Sequence, residues 1–362
     1  MRILFLNQYF PPDPAPTGVL LRELADRMEA AGHTVDFVTA RQDYREGQQA
    51  GGRMRREAKA LARMLFEALR RPRADIVLSA TSPPCLLLVA TLVAFWHRAK
   101  SVHWVMDLYP EIAVALGEIR PGLLARFLGK AMGWAYRRAA KVVVLDEDMA
   151  GRLRSYGVRP EIIGPWVFAP VIVQAQRAKA DPEVPWTWIY SGNLGRAHEW
   201  ETLLAAQAIL EKRGAGIRLL FQGGGPSRPA AEARAAELGL RQCVWKGYVE
   251  EKDLADALRR THVLTVTQLP AAQGLLWPSK LGLILGLPRP ILWVGPTKGA
   301  IARKLQALPH AGVFAPGEAE PVADWLISLK QHLRPVPQPA IDSLVHREAA
   351  LAEWQRLLEQ YQ

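Results

Sequence analysis

Short, almost continuous apolar runs alternate with longer amphipathic stretches through the first half of the chain. The apolar runs, rich in Val, Ile and Leu, are typical of parallel strands covered on both faces, whereas the longer stretches show helical spacing. The predicted strands are residues 2–7, 35–39, 75–80, 101–107, 141–146 and 161–164, and the predicted helices are 17–31, 54–71, 84–98 and 121–139. This alternation predicts a doubly wound α/β domain over residues 1–168.

Prolines and polar residues interrupt the alternation at residues 169–185, which we interpret as a linker. The same alternation then resumes. Strands are predicted at 187–192, 217–223, 243–248, 262–267, 290–295 and 312–315, and helices at 199–213, 229–239, 251–259, 279–286, 298–307 and, after a proline-rich spacer at 335–339, at 341–361. We therefore predict a second Rossmann-like domain at 186–335 and a C-terminal helical segment at 336–362. Two such domains facing each other predict a ligand cleft at the carboxyl ends of their strands.

Composition narrows the class of partner. The 362 residues are 49% hydrophobic and carry a net charge of +11, which predicts a folded protein with an anionic partner: nucleic acid, a lipid surface or phosphorylated small molecules. The longest apolar run, Cys85–Trp96, is shorter than the roughly 20 residues of a spanning helix, and no secretory signal is recognised. We expect a cytoplasmic protein, peripherally bound to the membrane, with reduced Cys85 and Cys243.

Two glycine-rich turns follow predicted strands of the second domain: SGNLGRAHEW (191–200) and QGGGPS (222–227). A third strand ends in WKGYV (245–249), whose Gly-aromatic pair is suited to flanking a planar base. Glycines let a backbone approach a ligand closely, and the N–H groups at a helix N-terminus attract phosphate. Arg196 would add a bidentate cation and His198 a further donor. A purely structural turn explains each motif equally well when that motif is taken alone.

A single lysine stands beside a long apolar run in QGLLWPSKLGLILGLPRP (273–290). Burying an ammonium group is unfavourable by several kcal/mol unless an anion pairs with it. The alternative is an ordinary surface lysine. Three phosphate-suited loops at the same end of the same sheet favour the first interpretation, in which a diphosphate lies between Arg196 and Lys280.

In order and spacing, several motifs resemble the GT-B glycosyltransferases of family 4, and especially the bacterial branch that acts in colanic-acid, O-antigen and exopolysaccharide assembly. The motifs are NQYFPPDPAPTG (7–18), VMDLYPE (105–111), YSGNLGRAHEWETLLAA (190–206), GGGP (223–226), KGYV (246–249) and PSKLGLILGLPRPIL (278–292). The resemblance implies the GT-B fold, two Rossmann-like domains with a C-terminal helix that returns to the first. It also implies sugar transfer, with retention of configuration, from a nucleotide diphosphate sugar, most simply a UDP-sugar.

The resemblance also implies residue roles. Asp107 and Glu111 would act near the sugar and acceptor, and Arg196 and Lys280 would stabilise the departing diphosphate. The residues implied in donor binding are Gly18, Gly192, Asn193, Arg196, His198, Gly224, Gly247, Tyr248, Gln273, Trp277, Ser279 and Lys280. No cofactor or metal is implied, and the acidic LDED (145–148) is expected to cap the helix that follows it.

Two positions depart from the family pattern. Many relatives carry two glutamates eight residues apart, the second on the ribose hydroxyls, where this chain has Gln273 and Leu281. This departure keeps open the alternative of a catalytically silent relative. A sugar-nucleotide 2-epimerase on the same scaffold would need carboxylates and histidines for proton transfer, and the second domain offers few. A nucleic-acid binder would show basic residues interleaved with exposed aromatics, which the sequence lacks.

Two basic amphipathic segments belong to the first domain. Residues 53–73 carry eight Lys/Arg against two Glu, a pattern that fits either a helix on anionic lipid or a packed helix with a solvated basic side. Residues 120–141 are expected to be mostly buried, with Arg137 and Arg138 at a solvated end. A polyprenyl-diphosphate-linked acceptor, or another saccharide acceptor, at the anionic inner leaflet would account for the charge.

Overall fold

A computed structural model describes residues 1–11, 15–40, 53–166, 185–332, 336 and 340–362. Its contacts divide the chain into two compact units, each discontinuous in sequence. Unit 1 comprises Met1–Trp166, Gly274–Trp277 and Arg347–Gln362, and unit 2 comprises Val167–Gln273 and Pro278–His346. All of the predicted linker except Pro185, and most of the predicted spacer 335–339, lie outside the described residues.

Unit 1 contains a six-stranded parallel sheet. The strands are β1 Arg2–Leu6, β2 Thr34–Val38, β3 Ile76–Ser79, β4 Lys100–Trp104, β5 Lys141–Val144 and β6 Glu161–Ile162, in the order β2-β1-β3-β4-β5-β6. The helices are α1 Pro16–Ala30, α2 Arg53–Leu69, α3 Leu86–His97, α4 Glu111–Ala115, α5 Leu123–Arg138 and α6 Glu147–Arg154. Every residue of β3 is buried, as expected of a strand that helices cover on both faces. The predicted cap is confirmed, because Asp146 accepts a 2.8 Å hydrogen bond from the backbone N–H of Met149.

Unit 2 contains a second six-stranded parallel sheet. The strands are β7 Thr187–Ser191, β8 Arg218–Gln222, β9 Cys243–Lys246, β10 Val263–Thr267, β11 Ile291–Val294 and β12 Ala311–Phe314, in the order β12-β11-β10-β7-β8-β9. The helices are α7 Glu201–Lys212, α8 Arg228–Glu237, α9 Glu251–Arg259, α10 Lys280–Leu285, α11 Ala300–Gln306 and α12 Ala319–Gln331, with a 3₁₀ turn at Pro270–Ala272. The doubly wound α/β prediction is confirmed for both sheets. Helix α12 was not predicted.

The strand order reverses between β7 and β10, the first and fourth strands of the second sheet. In open α/β sheets, ligands bind beside such a reversal, at the carboxyl ends of the strands. The loop that follows β7 and the end of β10 therefore flank the favoured ligand position of unit 2. In unit 1 the reversal falls between β1 and β3.

The last helix, α13 Ala340–Glu359, ends in unit 1, as the fold prediction requires. Trp354 on this helix is fully buried, and its ring centroid lies 4.6 Å from that of Trp104 at the end of β4. The ring of Trp166 also stacks on Trp104, with the two centroids 5.6 Å apart. Three indoles thus attach the C-terminus of the chain to the first sheet.

The expectation for residues 120–141 is wrong in its first half. Leu123 and Phe127 are 85% and 68% exposed, and Trp134 is also exposed, whereas Met132 and Tyr136 are buried. The helix buries only the side that faces the sheet and α3. Among the described residues, no helix is both long and apolar enough to cross a membrane.

Candidate functional site

Two glycine-rich loops interlock at the carboxyl edge of the second sheet. The backbone N–H of Leu194, in the loop after β7, donates to the carbonyl of Gly224, in the loop after β8, at 2.7 Å. In return, the N–H of Ser227 donates to the carbonyl of Leu194 at 3.0 Å. The two predicted phosphate loops therefore form one continuous backbone surface beside the strand-order reversal.

The glycines of these loops are required by the contact between the loops themselves. Gly223 has φ +128°, and a Cβ there would lie 2.2 Å from the carbonyl oxygen of Gly192. Gly225 has φ +124°, and a Cβ there would lie 2.4 Å from the amide oxygen of Asn193. Both a side-chain clash and an unfavourable φ exclude other residues. The contact between the two loops therefore explains why these positions are glycine, without a ligand.

Lys280 has no such structural explanation. It opens α10, and its ammonium nitrogen is buried, lies 3.4 Å from the centroid of the Tyr190 ring and has no hydrogen-bond partner in the described part of the chain. Its side chain passes over Gly192, where a Cβ would lie 3.4 Å from Cε of Lys280. Burial holds the pKa of Lys280 well below its ordinary value. A cation–π contact compensates only part of the lost hydration.

His198 lies next to this lysine and faces the Tyr190 ring edge-on, with centroids 5.7 Å apart. Its Nδ1 donates to the carbonyl of Thr267, at the end of β10, at 2.9 Å. Burial, followed by the charge of Lys280, lowers the pKa of His198 to about 3. Neutral His198 therefore presents Nε2 as an acceptor, and it donates to a phosphate only after it takes up a proton.

The remaining donor-binding candidates surround these loops less tightly. Arg196 is exposed, and no hydrogen bond or ion pair joins its side chain to another described residue. Tyr248 is 53% exposed, and a Cβ on Gly224 would lie 3.0 Å from its ring, whereas a Cβ on Gly247 would meet nothing within 4 Å. Ser279 is exposed and makes no capping hydrogen bond.

Trp277 is the last residue of a segment of unit 1, Gly274–Trp277, that directly follows Gln273 of unit 2. Between them, Leu275 accepts a 2.6 Å hydrogen bond from the N–H of Leu108, and Leu276 pairs with Asp107 in an antiparallel bridge. The chain leaves unit 2 at Gln273 and re-enters it at Pro278, two residues before Lys280. The predicted second domain, residues 186–335, includes this segment.

The candidate acceptor-side residues follow β4 in unit 1. The backbone N–H of Asp107 donates to Oγ1 of Thr81 at 3.3 Å, and Glu111 opens α4. One carboxylate oxygen of Glu111 is buried without a hydrogen-bond partner among the described residues, and burial raises the pKa of this carboxyl group. Gly18 lies in α1, where a Cβ would approach the carbonyl oxygen of Tyr9 to 3.1 Å.

Sequence reasoning missed two residues of the unit 2 site. Tyr190 in β7 supplies the ring against which Lys280 lies, and its hydroxyl donates to the carbonyl of Asn193 at 2.9 Å. Arg228 at the start of α8 donates to the carbonyls of Gly223 and Lys246, which joins the loops after β8 and β9. Tyr190 lies within the quoted YSGNLG motif, but its orientation depends on strand pairing that no local pattern encodes.

No group of three or more His, Cys, Asp or Glu side chains in the described ranges is arranged to hold a metal ion. Lys280, Arg196 and Arg228 are cations that unit 2 carries at or beside these loops. Cations in this position suit an anionic, phosphate-bearing ligand.

Comparison with known proteins finds a family model that matches part of the chain and solved structures that share its fold. Residues 17–167 match the family model described as Glycosyltransferase Family 4. A Pseudomonas aeruginosa relative described as probable glycosyltransferase WbjE is 28% identical over 244 residues, which cover 64% of this chain and 60% of the relative. The chain thus matches less than two thirds of that relative's length.

Solved structures resemble the chain over nearly its whole length. A sucrose-phosphate synthase from Thermosynechococcus elongatus has a TM-score of 0.70 at 15% identity, with 99% of this chain and 98% of the other covered. Anabaena HepE in complex with UDP-glucose has a TM-score of 0.67 at 14% identity, covering 99% and 100%. At such identities the likeness concerns the fold, and it agrees with the GT-B architecture of two doubly wound sheets.

Proposed function

We propose that this chain is a glycosyltransferase that moves a sugar from a nucleotide diphosphate sugar to an acceptor. The observation that carries the proposal is Lys280, a buried cation without a hydrogen-bond partner in the described residues, at the strand-order reversal of unit 2. A diphosphate would give this ammonium group the anion that the described residues do not supply. The Glycosyltransferase Family 4 match and the fold shared with HepE, whose structure contains UDP-glucose, support a UDP-sugar as the donor.

The proposed roles follow from the charge that develops during transfer. As the sugar–phosphate bond breaks, negative charge accumulates on the diphosphate, and Lys280 and Arg196 stabilise it electrostatically. The loops that carry Gly192, Asn193 and Gly224 provide backbone groups for the nucleotide. The residues proposed for the base and ribose are Gly247, Tyr248, Gln273, Trp277 and Ser279, with Gly18 towards the sugar.

The first domain, residues 1–168, is proposed to receive the acceptor and the second, residues 186–335, the donor. Asp107 and Glu111 would then position the sugar and the attacking hydroxyl. The net charge of +11 supports an acceptor on polyprenyl diphosphate at the anionic inner face of the membrane, in the assembly of a cell-surface polysaccharide. Transfer with retention of anomeric configuration rests on the resemblance in sequence motifs.

A thermal-shift panel of nucleotide diphosphate sugars tests the proposal, because a ligand stabilises the folded state in proportion to its affinity. We expect one or more nucleotide sugars to raise the Tm of the wild type, and Lys280→Met to abolish the increase. Lys298→Met, which removes an exposed lysine of unit 2, is the matched control. A panel in which no nucleotide sugar or nucleoside diphosphate raises the Tm would count against the proposal.

A catalytically silent relative is the second candidate. Leu281 is fully buried and apolar where relatives place the ribose glutamate, so this position offers no carboxylate to the donor. Release of nucleoside diphosphate from the bound sugar nucleotide separates the two candidates. An active enzyme releases it in the presence of acceptor or, more slowly, water, whereas a silent relative binds the donor without releasing product.

A further inference from the structure

We propose that unit 1 inserts an exposed apolar stripe into the interface of an anionic bilayer. The α3–α5 stripe consists of Leu92, Phe95, Trp96, Leu123, Phe127 and Trp134, all of them exposed. The inference deepens the proposed function, on which its biological meaning rests, by naming the surface that meets the membrane. It does not depend on the donor site of unit 2.

The stripe follows from how α3 and α5 pack. Helix α3 lies against α2 on one side and α5 on the other. Helix α3 connects β3 to β4 and α5 lies between β4 and β5, all parallel neighbours of the sheet, so α3 and α5 run side by side in the same direction. Phe95 and Trp96 at the end of α3 therefore lie on the same layer of helices as Trp134.

Helical spacing joins the members along each helix. Leu92, Phe95 and Trp96 are three and four residues apart and share one face of α3, opposite the buried Val93 and His97. Leu123, Phe127 and Trp134 share one face of α5 at intervals of four and seven residues. Phe95 is 86% and Trp96 67% exposed, a degree of exposure that a packed helix surface does not require.

The charge around the stripe selects a bilayer as the occupant. Residues 120–141 carry six Lys/Arg and no Asp or Glu, and α3 itself carries no Lys, Arg, Asp or Glu. On the neighbouring α2, the Arg70 guanidinium lies 3.6 Å from the ring centroid of the exposed Phe66. An apolar strip bordered by cations matches an interface of acyl chains beneath anionic headgroups.

A second copy of the chain fits this surface less well. A two-fold interface brings the same patch of both copies together. The basic border of α5 would then face itself, and like charges placed across an interface oppose association. Tryptophan and phenylalanine beside Lys and Arg are, by contrast, the composition of interfacial membrane anchors.

Co-sedimentation of the full chain with vesicles tests the proposal. The vesicles contain phosphatidylcholine alone or with about 30 mol% phosphatidylglycerol, which provides the anionic surface. We expect wild-type protein to bind the anionic vesicles, and the double variant Phe95→Ser/Trp96→Ser to bind them at least about tenfold more weakly at unchanged Tm. A second variant, Leu123→Ser/Phe127→Ser, removes apolar area from α5 instead and should weaken binding similarly.

Two charge variants complete the design. Arg126→Gln/Lys130→Gln should weaken binding in a salt-dependent manner, whereas the control Arg234→Gln/Lys298→Gln, which removes the same charge from the surface of unit 2, should not. The proposal would be overturned if both apolar variants bound the anionic vesicles as tightly as the wild type does. So would a wild-type dimer that Phe95→Ser/Trp96→Ser converts to a monomer, because a second copy would then cover the stripe.

Failure of this inference is distinguishable from failure of the proposed function. The same preparations are titrated with nucleoside diphosphate in the absence of lipid, which reports unit 2 alone. If the stripe variants lose vesicle binding and still bind nucleotide, the stripe is the membrane surface. If the wild type binds vesicles but no nucleotide, the proposed donor is wrong and the proposal for the stripe is supported.

Discussion

The ammonium nitrogen of Lys280 lies 3.4 Å from the centroid of the Tyr190 ring and has no hydrogen-bond partner among the described residues. An aromatic face is a weak substitute for water or an anion, worth about 0.5–2 kcal/mol. The folded protein therefore holds an ionisable group whose charged form is unfavourable at this position. Groups held in this way are characteristic of binding sites, where the ligand completes the interaction.

Replacement of this cation should change stability and binding in opposite directions. Lys280→Met keeps the length of the side chain and removes its charge, so we expect the free energy of unfolding without ligand to rise by about 1–2 kcal/mol. The affinity for UDP should fall at least about tenfold, because the diphosphate loses a charge-assisted contact. Chemical denaturation and UDP titration measure the two effects. A stability loss with unchanged affinity would identify Lys280 as structural.

The pH dependence of stability should carry the signature of Lys280. Burial holds its pKa well below the value of about 10.4 in an unfolded chain. Between these two pKa values the unfolded chain carries a proton that the folded protein lacks, so the free energy of unfolding rises with pH across that window. This contribution is lost as the pH falls to the folded-state pKa. Lys280→Met should remove this part of the slope, and an unchanged slope would contradict the assignment.

Binding of a diphosphate should take up a proton in the same window. The anion raises the pKa of Lys280 and also that of neighbouring His198, which burial lowers to about 3, while Tyr190 stays neutral because burial raises its pKa. Calorimetric titration with UDP in two buffers of different ionisation enthalpy measures the proton count. Net proton uptake on binding is expected for wild type within this window. A binding enthalpy independent of the buffer would contradict this coupling.

The glycine loops allow the structural and binding roles to be separated. Gly223→Ala introduces a Cβ 2.2 Å from a backbone carbonyl oxygen at φ +128°, so we expect a loss of about 2–4 kcal/mol in the free energy of unfolding. Gly247→Ala is the matched control, because a Cβ there meets nothing within 4 Å. Thermal melts check both variants. A Gly223→Ala protein as stable as the control would show that the two loops do not interlock as described.

The carboxylates of unit 1 should affect turnover more than donor binding. We expect Asp107→Asn and Glu111→Gln to lower kcat for donor cleavage by about 10²-fold or more, the size of effect typical of groups at a reacting centre. The affinity for UDP should change less than about threefold, because both residues belong to unit 1. Product release with a UDP-sugar and UDP titration measure the two quantities. Equal losses in both would place these residues in donor binding instead.

The strands were predictable because parallel buried strands leave continuous apolar runs in the sequence. The predicted run 141–146, for example, contains β5 Lys141–Val144. Amphipathic spacing was equally informative for a helix, because the predicted helix 251–259 coincides with α9. The missed helix α12 did have a signal: Val322, Leu326 and Leu329 recur at helical spacing after a proline in the first turn. The sequence therefore does contain the pattern of this helix.

Two other features could not be predicted from the local sequence. The segment Gly274–Trp277 joins unit 1 through a backbone hydrogen bond and a bridge to residues about 170 positions earlier, and four residues carry no pattern that specifies such a partner. The exposure of Leu123 and Phe127 is equally nonlocal, because an amphipathic pattern indicates that a face is apolar but does not identify what covers it. Helical periodicity therefore favoured burial where the structure leaves the face exposed.

In the candidate site, too, some features were predictable from the sequence and others depend on the fold. The chemistry of Arg196, His198 and Lys280 was visible in the residue types and their positions after strands. The position of Lys280 on the Tyr190 ring depends on the register between β7 and β10, in which Tyr190 pairs with Thr265. Register between distant strands is a property of the whole sheet, so the sequence suggested a cation for phosphate without indicating how deeply it is buried.

The central claim is that Lys280 recognises a diphosphate, and calorimetric comparison of UDP with UMP for wild type and Lys280→Met tests it most directly. The account predicts that wild type binds UDP at least about tenfold more tightly than UMP and that the variant loses most of this preference. Wild type and variant showing the same preference for UDP would contradict the claim.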